Sequence, residues 1–248
     1  NLFERTVELQ ASGGEGSLEW ALYVVGPVVV AGIEFLEMGL HYPAGTGCTN
    51  SGQSGGAVYV TGTGAILVSN VFDDTGVPER PCDASQIYVA AGGEHRVLDN
   101  DFRSLSADGI NAGAHVAEIS GNRFAGGLDD AVFLFDDDPR DTWVTGNLFA
   151  DQQINGLLLA GVAGRVHAVN NTFVRCAEGG VRRFSPRPLV LRNNAYAANG
   201  TFDVNPVDGT SGLDLDMGWE AHDGTSTWLS CNPDPDCSAA VVDSASQL

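Results

Sequence analysis

The chain has 248 residues, with 32 acidic side chains against 12 basic ones and a formal charge of -20, and every basic residue is an arginine. A field of that sign repels nucleic acid and anionic membrane surfaces, whereas it attracts divalent cations or keeps an elongated molecule soluble. The longest apolar stretch, around 21–33, is broken by Gly26 and Pro27, and nothing approaches the roughly 18 apolar residues of a membrane span, so no membrane insertion is expected.

The chain opens on Asn1-Leu2-Phe3, without an initiator Met or a signal peptide. Asn-x-aromatic then recurs at Asn70-Phe72, Asn100-Phe102, Asn122-Phe124, Asn147-Phe149, Asn171-Phe173 and Asn194-Tyr196, with Phe35 after Ile33 filling the first gap. A start inside a repeat leads to the expectation of a processed or trimmed product whose leader is missing. From Phe35 onward the aromatics are 37, 30, 22, 25, 24 and 23 residues apart. A period of this size predicts stacked units, each unable to bury its apolar face alone.

Within a repeat the order is a short apolar strand, a turn, and a second strand ending at the Asn. The residues three before the Asn are Leu67, Val97, Ile119, Val144, Ala168 and Leu191, all apolar. Those four before it are Ile66, Arg96, Glu118, Trp143, His167 and Val190, a mixed set, as the alternation of a strand requires. The first strands follow tight pairs: Gly55-Gly56, Asp108-Gly109, Asp129-Asp130, Asn155-Gly156 and Gly179-Gly180. Gly, Asn and Asp tolerate the positive φ of a sharp corner. Aligning these pairs predicts an outward row of Val58, Tyr88, Asn111, Val132, Leu158 and Arg182, an apolar face that another copy or a neighbouring domain would cover.

These features resemble the right-handed parallel β-helix repeat family, the architecture of pectate lyases, polygalacturonases and many bacterial surface proteins. The resemblance implies an all-β, single-stranded solenoid of about seven to eight coils over residues 1–200. It also implies that the Asn residues bond from coil to coil while the aromatics stack inside. Residues 201–248, rich in Asp, Gly, Ser and Pro and carrying Trp219 and Trp228, are expected to form an irregular cap over the last open coil.

Five cysteines complete the organisation. Cys231 with Cys237 and Cys48 with Cys82 are expected to form disulfides, leaving Cys176 buried and unpaired, which suits an oxidising, extracellular or cell-surface location.

Three groups of residues could carry chemistry. Asp108, Asp129 and Asp130 lie one coil apart at the same corner and are similar to the Asn-Thr-Asp and Asp-Asp elements of polygalacturonases, although ordinary turn chemistry explains them equally. The Gly-His-Gly of that family is replaced by Ile154-Asn155-Gly156-Leu157, and its Arg-x-Lys is missing. Lyases of this fold use a Lys or Arg base, for which Arg182 and Arg183, near Arg187 and Arg192, are the candidates, against ion pairing with the acidic tail. Asp136, Asp137, Asp138 and Asp141 crowd four carboxylates into one loop and are candidate Ca²⁺ ligands, against a solvated loop neutralised by Arg140. The histidines show no metal-ligand spacing, and His95 and His167 are expected to face solvent.

Two functions follow. The first is a secreted or cell-surface, non-catalytic structural, adhesive or glycan-binding element. The second is a carbohydrate-active enzyme, a polysaccharide lyase or glycoside hydrolase acting on an acidic polysaccharide. The expected partners are a polysaccharide or another protein surface, including a second copy docked on the apolar row.

Overall fold

The computed structural model describes residues 20–36, 56–73, 85–161, 164–185 and 188–205, and, further on, 215–218, 220–225, 227–229, 242–243 and 246–247. Among these the only regular elements are strands, assembled into three parallel sheets of nine strands each. The first sheet runs from Trp20–Val25 to Thr227–Leu229, the second from Val29–Ala31 to Val242–Asp243, and the third from Glu34–Leu36 to Ser246–Gln247. Each coil contributes one strand to each sheet and pairs only with the coils before and after it, which makes a parallel β-helix.

Two expectations change in detail. The aromatic of each Asn-x-aromatic unit is the centre of a third short strand rather than a corner residue, as in Val71–Asp73 around Phe72 and Thr172–Val174 around Phe173. Parallel pairing also continues beyond residue 200, through Leu215–Gly218, Ala221–His222 and later strands. Among the described residues seven coils are complete by Ala195–Ala197 and an eighth opens at Phe202–Asn205, as expected for this span, and pairing then continues into a ninth where an irregular cap was expected to begin.

All three sheets contribute to the interior, and two of its columns carry the repeat seen in the sequence. Phe35, Phe72, Phe102, Phe124, Phe149, Phe173 and Tyr196 stack face to face, with neighbouring centroids 4.5–5.1 Å apart and planes within 11° of parallel. Opposite them Leu67, Val97, Ile119, Val144, Ala168 and Leu191 are fully buried. Burial of these rings and aliphatic groups is the main driving force for stacking coils that individually have little interior.

An amide ladder closes the corner between the second and third sheets. The Asn122 side-chain oxygen accepts from the backbone N–H (2.9 Å) and the side-chain amide (3.0 Å) of Asn100. The Asn122 amide in turn donates to the carbonyl of Val97 (2.8 Å) and to Asn147 (3.0 Å). The same pattern runs from Asn70 to Asn194. A left-handed residue precedes each ladder Asn: Ser69, Asp99, Gly121, Gly146, Asn170 and Asn193 all have φ between 52° and 66°. That requirement explains why the position holds Gly, Asn, Asp or Ser.

Candidate functional site

The outer face of the first sheet differs from its expected form. Paired register places Tyr23, Tyr59, Tyr88, Asn111, Phe133, Leu158, Arg182 and Asn205 in one outward row. Val58 and Val132, expected outside, are core residues with no exposure. The aligned tight pairs caused the error. Asp130, not Asp129, shares a column with Asp108 and Asn155, and Gly56 belongs to that same column. A one-residue slip in a strand exchanges its two faces. The next column also holds Gln86 and Asp203, but at Ala57, Gly109, Ala131, Gly156 and Gly180 it is small, and at Gly109 and Gly156 a stacked ring lies beneath it. A Cβ on Gly109 would come within 2.9 Å of Phe124, and one on Gly156 within 2.5 Å of Phe173.

The corrected row is aromatic where aliphatic residues were expected. The rings of Tyr23 and Tyr59 are 5.2 Å apart, and those of Tyr59 and Tyr88 5.5 Å. Trp20 crosses over Gly56, where a Cβ would meet its ring at 2.7 Å, and packs against Tyr59 and Tyr88. Farther along, Phe133 contacts Phe135 at 5.0 Å, and the Arg182 guanidinium lies 4.2 Å over Phe184 while donating to Glu178. Tyr23 and Phe184 are exposed, and Tyr59, Tyr88, Phe133 and Phe135 are half-buried.

An acidic corner borders this row. Asp108, Asp129 and Asp130 each offer an oxygen within 4.8 Å of the other two, among the described residues the only group of three His, Cys, Asp or Glu side chains so arranged. Asp108 accepts from the amide of Asn111 (2.8 Å), and one oxygen of Asp130 accepts both the backbone N–H and the side-chain amide of Asn155 (2.9 Å each). Burial pushes the Asp130 carboxyl up to about 7, against the opposing Asn155 bonds and with help from the Asp129 charge. Such a corner can hold a proton or a hard cation. The side-chain oxygens of Ser85 and Asn155, on either side of the two buried carboxylates, are buried without a partner among the described residues.

The other candidates are dispersed. Arg182 faces outward, whereas Arg183 is 1% exposed and lies on the other side of the strand. Arg192 pairs with Asp216 on the second sheet, so among the described residues no basic cluster forms around Arg182 and Arg183; Arg187 lies outside them. Asp136, Asp137, Asp138 and Asp141 likewise do not gather around one point. Asp138 is gripped by Arg140 (2.7 and 2.8 Å), which holds its carboxyl well below the usual range, and Arg140 also reaches Glu94 (2.6 Å). Asp141 binds His167 (2.9 Å), and Asp136 accepts the backbone N–H of Asp138 (3.1 Å). Arg140 supplies positive charge at this loop, as in the alternative weighed against Ca²⁺.

Cys176 is buried and free as expected, its thiol pushed up to about 12 by desolvation; Cys48, Cys82, Cys231 and Cys237 lie outside the described residues. Of the two histidines expected to face solvent, His167 lies on the outer face of the second sheet and His95 does not. His95 is fully buried, its Nδ1 accepting the backbone N–H of Ala65 (3.3 Å), and burial lowers its pKa. His167 stacks on the exposed Trp143 with centroids 4.0 Å apart. Glu220 was missed altogether. It takes the ladder position after Asn194, whose amide reaches it at 3.4 Å, and burial pushes its carboxyl up to about 7. Glu220-Ala221-His222 is thus a degenerate copy of Asn-x-aromatic, with His222 paired to Tyr196.

A family model described as the right-handed beta helix region matches residues 41–202. No curated protein and no solved structure matches the chain.

Proposed function

This chain belongs to the right-handed β-helix family, and on that premise we propose that it is a secreted or cell-surface, non-catalytic element that binds glycan on the outer face of its first sheet. Family membership does not supply the function, because this fold carries many. The observation that carries the reading is the aromatic row of Tyr23, Tyr59, Tyr88 and Phe133, displayed on a rigid rod at successive or alternate coils. Aromatic rings combine large apolar faces with, in tyrosine, a polar edge, and such rings suit the C–H faces and hydroxyls of sugars. The test is retention of the protein by immobilised polysaccharides. The reading expects retention that falls when Tyr59 and Tyr88 are changed to Ala, and it fails if no polysaccharide retains the wild type.

The acidic corner favours a second reading, a glycoside hydrolase acting on an acidic polysaccharide. Asp130 held protonated to about pH 7 has the property of a general acid, and Asp108 and Asp129 stand beside it as the partner carboxylates. New reducing ends from a polysaccharide, lost in Asp130→Asn, would replace the first reading with this one.

A further inference from the structure

We infer that the glycan held on this face is uncharged, a chain of neutral pyranose units in place of a polyuronate or a sulfated polymer. This rests on the glycan-binding reading above and adds the charge of the ligand to it.

The row offers rings and uncharged polar groups for contact: the phenols of Tyr23, Tyr59 and Tyr88, the ring of Phe133, and the amide of Asn205. The first three rings succeed one another at 5.2 and 5.5 Å, a repeat comparable to one sugar unit of an extended chain laid along the helix axis. The charges beside the row are overwhelmingly negative. Asp108 and Asp129, with Asp130 beside them as an acid charged only above about 7, border the rungs of Asn111 and Phe133, and Glu178 borders the rung of Arg182. Arg182 is the one cation on the row among the described residues, and it is already engaged by Glu178 and by the Phe184 ring. A uronate chain would therefore meet carboxylates without a matching arginine, in the field of a chain carrying -20. Like charges brought together in this way reject the wrong ligand more effectively than they weaken the right one.

The test is affinity electrophoresis in chelator, through gels containing hydroxyethylcellulose, galactomannan, polygalacturonate or glycol chitosan. The expected result is retardation by a neutral polymer, unchanged up to about 0.5 M NaCl because no ion pairs are involved. Tyr59→Ala with Tyr88→Ala weakens it by about tenfold or more. Tyr23→Ala, an exposed position that leaves the interior intact, also weakens it, whereas Trp143→Ala on the second sheet leaves it as in the wild type. Retardation by polygalacturonate alone, or salt-sensitive retardation by glycol chitosan alone, overturns the inference while leaving glycan binding in place. Migration unaffected by any of the four polymers overturns both.

Discussion

Two corners of the same coil obey different rules. At the corner between the second and third sheets, one residue type repeats from Asn70 to Asn194, and each amide is bonded to the coils before and after it. At the corner leading into the first sheet, the column reads Ser85, Asp108, Asp130 and Asn155, three residue types in four coils. That column buries carboxylates and leaves polar atoms without partners. A uniform ladder is the cheapest way to satisfy buried amides along a rod, since one solution serves every coil. Departures from uniformity are tolerated where another demand acts, and here they border the aromatic face. In a repeat protein the regular column explains the scaffold, and the irregular one indicates where to look for function.

The largest effect expected on the scaffold side is from Phe149→Ala. Removing a ring stacked between Phe124 and Phe173 should cost about 3–5 kcal/mol in denaturant unfolding. Asn147→Ala should follow, at about 1–3 kcal/mol for a buried group left without its partner; its loss orphans the backbone and amide donors of Asn122. A near-neutral result for Asn147→Ala would mean that the ladder is incidental to stability.

The irregular corner should show itself through pH. Asp130 has an ordinary value of 3.8 and is raised to about 7 in the fold, so the folded state holds the extra proton. Stability from this group is greatest below about 3.8 and is lost as pH rises toward about 7. Asp130→Asn should flatten that decline. His95 has the opposite sign: its lowered pKa means that stability is present above 6.5 and is lost as pH falls through the folded value. His95→Gln should therefore flatten the acid limb only. Melting curves of both variants across this range separate the two contributions. The smallest effect belongs to the surface: Arg175→Ala, which removes an exposed pair with Asp151, should melt within error of the wild type.

The two corners were also unequally legible. The Asn-x-aromatic spacing fixes the ladder, the ring stack and the second buried column, because their chemistry recurs in identical letters. Glu220 escaped because a carboxyl replaces the amide and His222 replaces the ring, so the unit shares only its middle Ala with Asn194-Ala195-Tyr196. The first-sheet register was misread because Asp129-Asp130 looks like Asp108-Gly109, although Asp130 is the residue that occupies the Asp108 column. What decides between them is the volume of Phe124 under Gly109 and its equivalents, a contact between sheets that no local pattern announces. The grip of Arg140 on Asp138 is local and can be weighed from the sequence, whereas the reach of Arg140 to Glu94 across 46 residues of chain cannot. The burial of His95 similarly depends on its ring Nδ1 accepting the backbone N–H that Ala65 donates from one coil away.

The most direct test of the claim that function lies on the first sheet is side-chain oxidative footprinting with and without a retaining polysaccharide. Tyr59, Tyr88 and Phe133 report on that face, and exposed Trp143 reports on the second sheet of the same rod. The account predicts that ligand protects Tyr59, Tyr88 and Phe133 and leaves the oxidation of Trp143 unchanged. Protection of Trp143, with the three first-sheet rings labelled as before, would contradict it.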